Sequence, residues 1–118
     1  MATPQEFEVT VDAGADAVVV AVSGDLDMSN AGALTDALTQ AGGSGAVVVA
    51  DLSAVTFIDS SAVSALLESA RALSDAGGRL AVGPRSAMVA RVLDITGLST
   101  GTDDLDVHAL PEGPTADG

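Results

Sequence analysis

The feature that most constrains the fold is an apolar strand that leads, through a short connection, into a polar cluster and a helix. The continuous apolar, mostly β-branched run at residues 46–50 predicts a strand that is buried on both faces. After the connection, Asp59, Ser60 and Ser61 precede a segment in which apolar residues recur at helical spacing. These apolar positions are Val63, Leu66, Leu67, Ala70 and Leu73. A carboxylate and two hydroxyls are therefore expected where a helix begins, just past a central strand.

Polar side chains at such a helix start can act in two ways. They can accept hydrogen bonds from the free N–H groups of the first turn, which would make Asp59, Ser60 and Ser61 a helix cap. The same N–H groups, together with the helix dipole, favour an anion at this end. From the residues alone, a plain cap and a place that favours an anion both stay open.

The remaining sequence alternates between strand and helix patterns. Strands are predicted at residues 7–11, 17–22, 79–83 and 105–110, and further helices at residues 31–41 and 86–96. A short turn separates the first two strands, which favours an antiparallel hairpin, whereas the later strands alternate with helices. With 118 residues the chain is one domain by size. The predicted fold is a single α/β domain with a mixed sheet and helices packed on it.

Glycine and short polar residues mark the ends of these elements. The segment at residues 24–27, Gly-Asp-Leu-Asp, is predicted to form a loop after the second strand. Ser29 or Asn30 is expected to cap the first helix. The central helix should stop at residues 77–78, and Gly97 fits the left-handed position after the last helix.

The charge balance restricts the partners of the chain. It has 17 acidic residues against four Arg and no Lys, which gives a formal net charge of −13. Such a surface repels phosphate backbones and anionic lipids, so neither direct nucleic-acid binding nor a membrane partner is expected. A protein partner with a basic docking face is easier to accommodate.

The sequence has no cysteine and no pattern of a targeting signal or a membrane span. The chain has no Cys, so it contains neither a disulfide nor a thiolate site. Its first eight residues lack a basic region and an apolar core, and no apolar run approaches the ~18 residues of a membrane span. A cytoplasmic protein is expected.

The residues needed for common enzymatic reactions are missing. A serine hydrolase needs a base, and the one imidazole, His108, is expected at the surface near the C-terminus. A P-loop is excluded because the chain has no Lys. The carboxylates Asp25, Asp27 and Asp59 could form a magnesium site of the response-regulator receiver type, but that family also uses a Lys. The sequence therefore predicts no enzyme, no metal and no cofactor.

The residues around the polar cluster resemble a family signature. Residues 51–63 read Asp-Leu-Ser-Ala-Val-Thr-Phe-Ile-Asp-Ser-Ser-Ala-Val, which closely resembles the signature of STAS-domain anti-sigma factor antagonists. In that family a strand ends in Asp, a Leu-Ser-x-Val segment and an apolar pair follow, and Asp-Ser-Ser/Thr-Gly-Leu/Val opens a helix. Residues 24–27 resemble the family's acidic loop, and residues 91–98 its third helix and exit. The sequence departs at Ala62, where the family usually has Gly.

The resemblance implies a function and a set of site residues. In the family the second hydroxyl of the run is phosphorylated by a kinase that is also the anti-sigma factor, which puts the phosphoacceptor at Ser61. Unphosphorylated, the chain would bind the anti-sigma factor serine kinase and free a sigma factor for transcription; phosphorylated, it would release the kinase. A phosphatase that reverses the modification is compatible with this scheme. The implied partner-binding residues are Asp25, Asp27, Asp59, Ser60, Ser61, Ala62 and Val63.

The resemblance covers residues 5–110, which are expected to form one STAS domain. Family members usually continue into a final amphipathic helix, whereas residues 111–118 have neither helical period nor apolar content and are expected to form a disordered tail. Two alternative functions stay open. The chain could be a STAS regulatory or scaffold domain of another signalling assembly, or a module that binds a small ligand.

Overall fold

Five strands and three helices alternate along the chain in the computed structural model, which describes residues 7–14, 16–43, 45–98 and 100–107. The strands are β1 (Glu8–Ala13), β2 (Val18–Leu26), β3 (Val47–Ile58), β4 (Arg79–Arg85) and β5 (Leu105–Val107). The helices are α1 (Ala31–Gly42), α2 (Ser60–Asp75) and α3 (Ala87–Ile95). The predicted elements are confirmed in kind and order. His108, the end of the last predicted strand and residues 111–118 lie outside the described residues.

The strands form one mixed sheet in the order β1-β2-β3-β4-β5. β1 pairs with β2 in an antiparallel hairpin, and β2, β3, β4 and β5 run parallel to one another. Parallel neighbours need a crossover connection, and α1, α2 and α3 supply the three crossovers. The predicted hairpin and the predicted α/β fold with a mixed sheet are both confirmed.

The hydrophobic core joins one face of the sheet to all three helices. Buried residues alternate along β2 and the first half of β3, whereas residues 80–83 of β4 are all buried. The strand residues of the core include Val20, Val22, Val48, Ala50, Leu80 and Val82. The helices add Leu34 and Leu38, then Val63, Leu66, Ala70 and Leu73, and finally Val89 and Leu93. Val19 and Val49, which face the opposite way, are only half-buried. This asymmetry follows from the two-residue period of a strand, which sends neighbouring side chains to opposite faces.

Two strands continue further than the sequence predicts. β2 includes residues 24–26, predicted as a loop, and β3 includes residues 51–58, predicted as a connection. The pairing of these strands reaches Leu26 and Ile58, with register shifts near residues 21–25. The shifts move the buried positions of β3 from every second to every third residue, at Leu52, Val55 and Ile58. A search for strictly alternating apolar residues therefore does not detect this part of β3 as a strand.

The helix ends follow the predicted glycine chemistry. At the end of α2, Gly77 has φ of +90° and the Gly78 N–H donates to the carbonyl of Leu73 at 2.8 Å. At the end of α3, Gly97 has φ of +79° and the Leu98 N–H donates to the carbonyl of Leu93 at 2.7 Å. Both are six-to-one bonds that close a helix through a left-handed residue. No helix in the described part of the chain is long and apolar enough to cross a membrane.

The packing of α1 on α2 yields a test with two glycines of the same helix. Gly42 is buried, and a Cβ there would collide with Leu73, itself only 2% exposed, and lie 3.4 Å from a Val48 methyl. A Cβ at Gly32 would meet nothing within 4 Å. Gly42→Ala should therefore destabilise the fold by about 1–3 kcal/mol through overpacking. Gly32→Ala should stabilise it by about 0.5–1 kcal/mol, because Ala is the better helix former.

Urea denaturation of both variants and the wild type measures these free energies of unfolding. A Gly42→Ala variant as stable as the Gly32→Ala variant would contradict the close approach of α1 to α2.

Candidate functional site

The candidate site lies where β2 and β3 end side by side. Their last paired residues are Leu26 and Ile58, and the Asp59 N–H donates to the carbonyl of Leu26 at 3.1 Å. Because the two strands are parallel, both leave the sheet at the same edge. Asp25 near the end of β2, Asp27 just after it and the cluster at residues 59–61 are therefore brought together there.

Asp59 caps α2, as the helix-cap interpretation of the sequence requires. It has extended backbone angles, φ −116° and ψ −178°, and its carboxylate accepts a hydrogen bond from the Ala62 N–H at 3.1 Å. Such a cap satisfies one of the first-turn donors that the helix itself leaves unpaired. It also fixes the direction in which α2 leaves the sheet.

Ser60 and Ser61 are the first two residues of α2 and differ in exposure. Ser60 is exposed, whereas Ser61 is half-buried. Ser61 lies in a shallow groove of about 310 Å³ between α1 and α2. The groove is lined by Ala31, Gly32, Thr35, Ser61, Ser64, Ala65 and Glu68. Small side chains on both helices thus leave the Ser61 position accessible from outside.

The segment between β2 and α1, the acidic turn (residues 27–30), is held by its own polar side chains. The Asp27 carboxylate accepts from the N–H of Ser29 at 2.9 Å and from its hydroxyl at 2.5 Å. Asn30 accepts from the Asp27 N–H at 2.9 Å and donates through its side-chain amide to the carbonyl of Asp25 at 2.7 Å. The predicted cap position of α1 is confirmed at Asn30, but the Asn30 side chain makes no hydrogen bond to the first turn of the helix.

Asp25 and Asp27, predicted to share one loop, have different structural roles. Asp25 belongs to β2, and its carboxylate accepts from the Thr56 hydroxyl on β3 at 2.7 Å. Asp27 lies in the acidic turn, where the hydrogen bonds from Ser29 hold the pKa of its carboxyl below the ordinary value of 3.8. Both carboxylates are therefore oriented by hydroxyl donors at the same edge of the sheet.

Ala62 and Val63, predicted to contact the partner, pack in the core instead. Their side chains are 0% and 6% exposed, so neither contributes to the outer surface. Ala62, which stands where the family signature usually has Gly, is therefore part of the core. The accessible part of the predicted site consists of the exposed Ser60 and the partly exposed Asp25, Asp27, Asp59 and Ser61.

Sequence reasoning missed an apolar side chain at this edge. Met28 projects from the acidic turn with 76% of its surface exposed. It lines a groove of about 480 Å³ with Asp27, Ser29 and Asp59. The signal was present in the sequence, where one long apolar residue interrupts the polar run of residues 27–30.

A magnesium site does not form from the three carboxylates. Asp25, Asp27 and Asp59 are each bonded to a different protein donor, and no group of three metal-ligating side chains occurs within residues 7–14, 16–43, 45–98 and 100–107. A hydroxyl at a helix start, with carboxylates around it, is suited to carry a modification that a partner can sense.

The hydrogen bonds to Asp27 predict its titration. A carboxyl whose pKa is lowered by folding stabilises the native state above its unfolded pKa, and the contribution is lost as the pH falls through the folded value. The chemical shift of the Ser29 amide should therefore titrate with a midpoint below 3.8. Ser29→Ala should raise that midpoint, because it removes the hydroxyl that contributes most. A wild-type midpoint at or above 3.8, measured by NMR, would contradict the hydrogen bonds from Ser29 to the Asp27 carboxylate.

Comparison with known proteins gives a family and a set of similar structures. The STAS domain model matches residues 6–104. An anti-sigma factor antagonist from Mycobacterium paratuberculosis is 28% identical with a TM-score of 0.74, over 98% of this chain and 95% of that one. No match is found among curated proteins.

Two SpoIIAA structures share the fold. The anti-sigma factor antagonist SpoIIAA in its unphosphorylated form is 22% identical with a TM-score of 0.67, over 93% of this chain and 94% of that one. The Bacillus cell fate determinant SpoIIAA in its phosphorylated form is 22% identical with a TM-score of 0.60, over 95% and 97%. The family model spans every described strand and helix except β5. The chain therefore belongs to the STAS domain family and has the SpoIIAA-like fold.

Proposed function

We propose that this protein is an anti-sigma factor antagonist of the cytoplasm that acts by binding and has no enzymatic activity. Unphosphorylated, it binds an anti-sigma factor serine kinase and so frees a sigma factor; phosphorylated at Ser61, it releases the kinase. The observation that carries the proposal is the accessible hydroxyl on the first turn of α2, beside the acidic turn. The similar structures that are themselves anti-sigma factor antagonists support the same role.

Ser61 is preferred over Ser60 because the family signature places the acceptor second in the pair. Its hydroxyl lies in the groove between α1 and α2, so a kinase can reach it without opening the core. Asp25, Asp27, Asp59 and Ser60 complete the proposed kinase-binding face. A phosphatase that removes the phosphate would return the protein to the binding state.

The proposed switch acts at the interface and leaves the fold intact. A phosphoserine carries about −1.5 to −2 charges at neutral pH. At a helix N-terminus this anion is stabilised by about 0.3–1 kcal/mol when exposed, and repulsion from Asp59 opposes that gain at similar range. The two effects nearly cancel within the domain. A kinase surface shaped for a small hydroxyl must instead accommodate added bulk and an unmatched charge, which leaves its buried groups poorly paired.

The first test determines which hydroxyl is modified. The wild-type chain is used as bait in a lysate of the source organism, with Ser61→Asp as the matched control, and captured kinases are identified by mass spectrometry.

With the purified kinase and ATP, Ser61→Ala should abolish phosphorylation and Ser60→Ala should not. Phosphopeptide mapping that places the label on Ser60 would refute the assignment. Capture of a signalling complex without a kinase would favour the regulatory or scaffold alternative.

A second test measures the switch itself. Ser61→Asp, or phosphorylation of Ser61, should weaken binding of the kinase about tenfold or more, equivalent to about 1.4 kcal/mol. Calorimetry measures the affinity, and NMR should show amide shift changes concentrated near residues 24–28 and 57–66. Unchanged affinity, or shift changes throughout the sheet, would be incompatible with a local interface switch.

A further inference from the structure

The acidic turn presents Met28 to solvent. Its side chain is 76% exposed, although the turn that carries it is fastened by hydrogen bonds of Asp27, Ser29 and Asn30. The Asn30 N–H also donates to the carbonyl of Asp27 at 3.1 Å. A single exposed apolar residue is ordinary, but a flexible loop would let it fold back onto apolar surface. Here the polar bonds of the turn hold Met28 away from the core.

The position of Met28 relates it to the proposed switch. It shares a groove with Asp59, the residue that caps α2 one position before Ser60. The groove that contains Ser61 begins at Ala31, directly after the acidic turn. The two grooves therefore adjoin along the starts of α1 and α2, and a partner that covers Ser61 would also reach Met28.

Charge surrounds the exposed apolar side chain. Asp27 and Asp59 line the same groove as Met28, and the whole chain has a formal net charge of −13. A second exposed apolar residue, Phe57, is the strand partner of Asp25 at this edge of the sheet. The pattern is one of apolar side chains bordered by carboxylates.

From this pattern we infer that Met28 is an apolar anchor for the kinase, which receives it in an apolar socket bordered by Lys or Arg side chains. The inference rests on the proposed function and names a contact that the phosphoacceptor site alone does not supply. Burial of an apolar anchor slows dissociation, whereas charges on the rim mainly speed association. Methionine suits such a contact because its unbranched, polarisable side chain adapts to the socket. Because hydrogen bonds already hold the acidic turn in one conformation, less conformational entropy is lost on binding.

Ile95 provides a matched control. It is 75% exposed, nearly the same as Met28, but lies at the last residue of α3. Met28→Gln and Ile95→Gln thus replace equally exposed apolar side chains with polar ones at different places. Met28→Leu keeps the apolar character and the approximate volume. All three variants should have the wild-type melting temperature, because none of the changed side chains is in the core.

The experiment measures association and dissociation rates of the purified kinase from the capture assay on the immobilised chain. Met28→Gln should weaken binding about tenfold or more, chiefly through faster dissociation, while Met28→Leu and Ile95→Gln bind nearly as the wild type does. Asp27→Asn should instead slow association and flatten its dependence on salt.

The remaining outcomes separate this inference from the proposed function. Normal binding by Met28→Gln, with weakened binding by Ser61→Asp, would overturn the anchor and leave the switch standing. Equal loss in Met28→Gln and Ile95→Gln would also overturn it, since the effect would not depend on position. If the wild-type chain captures no kinase, both the proposed function and the anchor are wrong.

Discussion

The parallel pairing of β2 with β3 is the interaction on which the site depends. It continues to Leu26 and Ile58 and is extended by the bond from the Asp59 N–H to the Leu26 carbonyl. Without those last pairs, the acidic turn and the start of α2 would leave the sheet at different positions along the strands. The register shifts near residues 21–25 let the strands stay paired while the buried positions change spacing. Local irregularity in the strands therefore sets the geometry of the proposed switch.

On α2, a difference of one residue separates surface from core. Ser60 is exposed and Ser61 half-buried, whereas Ala62 and Val63 are buried. Each step along a helix turns the side chain by about 100°, so a run of four residues must pass from one environment to the other. The Asp59 cap fixes where that rotation starts. The same bond that stabilises the helix start thereby decides which hydroxyls a partner can reach.

The sequence predicted the parts that depend on local chemistry. The helices, their glycine ends and the Asp59 cap follow from periodicity and from the hydrogen-bonding needs of helix termini. The extension of β2 and β3 could not be predicted in this way, because Leu52, Val55 and Ile58 are three residues apart and pairing with a distant strand determines their conformation. The exposure of Met28 likewise depends on bonds that form only when the acidic turn closes.

The charges of the chain explain why the position of the phosphate matters more than the charge that it adds. Phosphorylation would add about −1.5 to −2 charges to a chain that already has −13, a small change for the molecule as a whole. At physiological ionic strength, exposed charges are largely screened beyond about 8 Å. A phosphate on Ser61 therefore acts on its nearest groups, namely the free N–H groups of α2, the Asp59 carboxylate and whatever surface covers the groove. The first two oppose each other and belong to the domain, so the third is where a difference in free energy can appear. A chain this acidic can respond to one more anion only if that anion lies inside an interface.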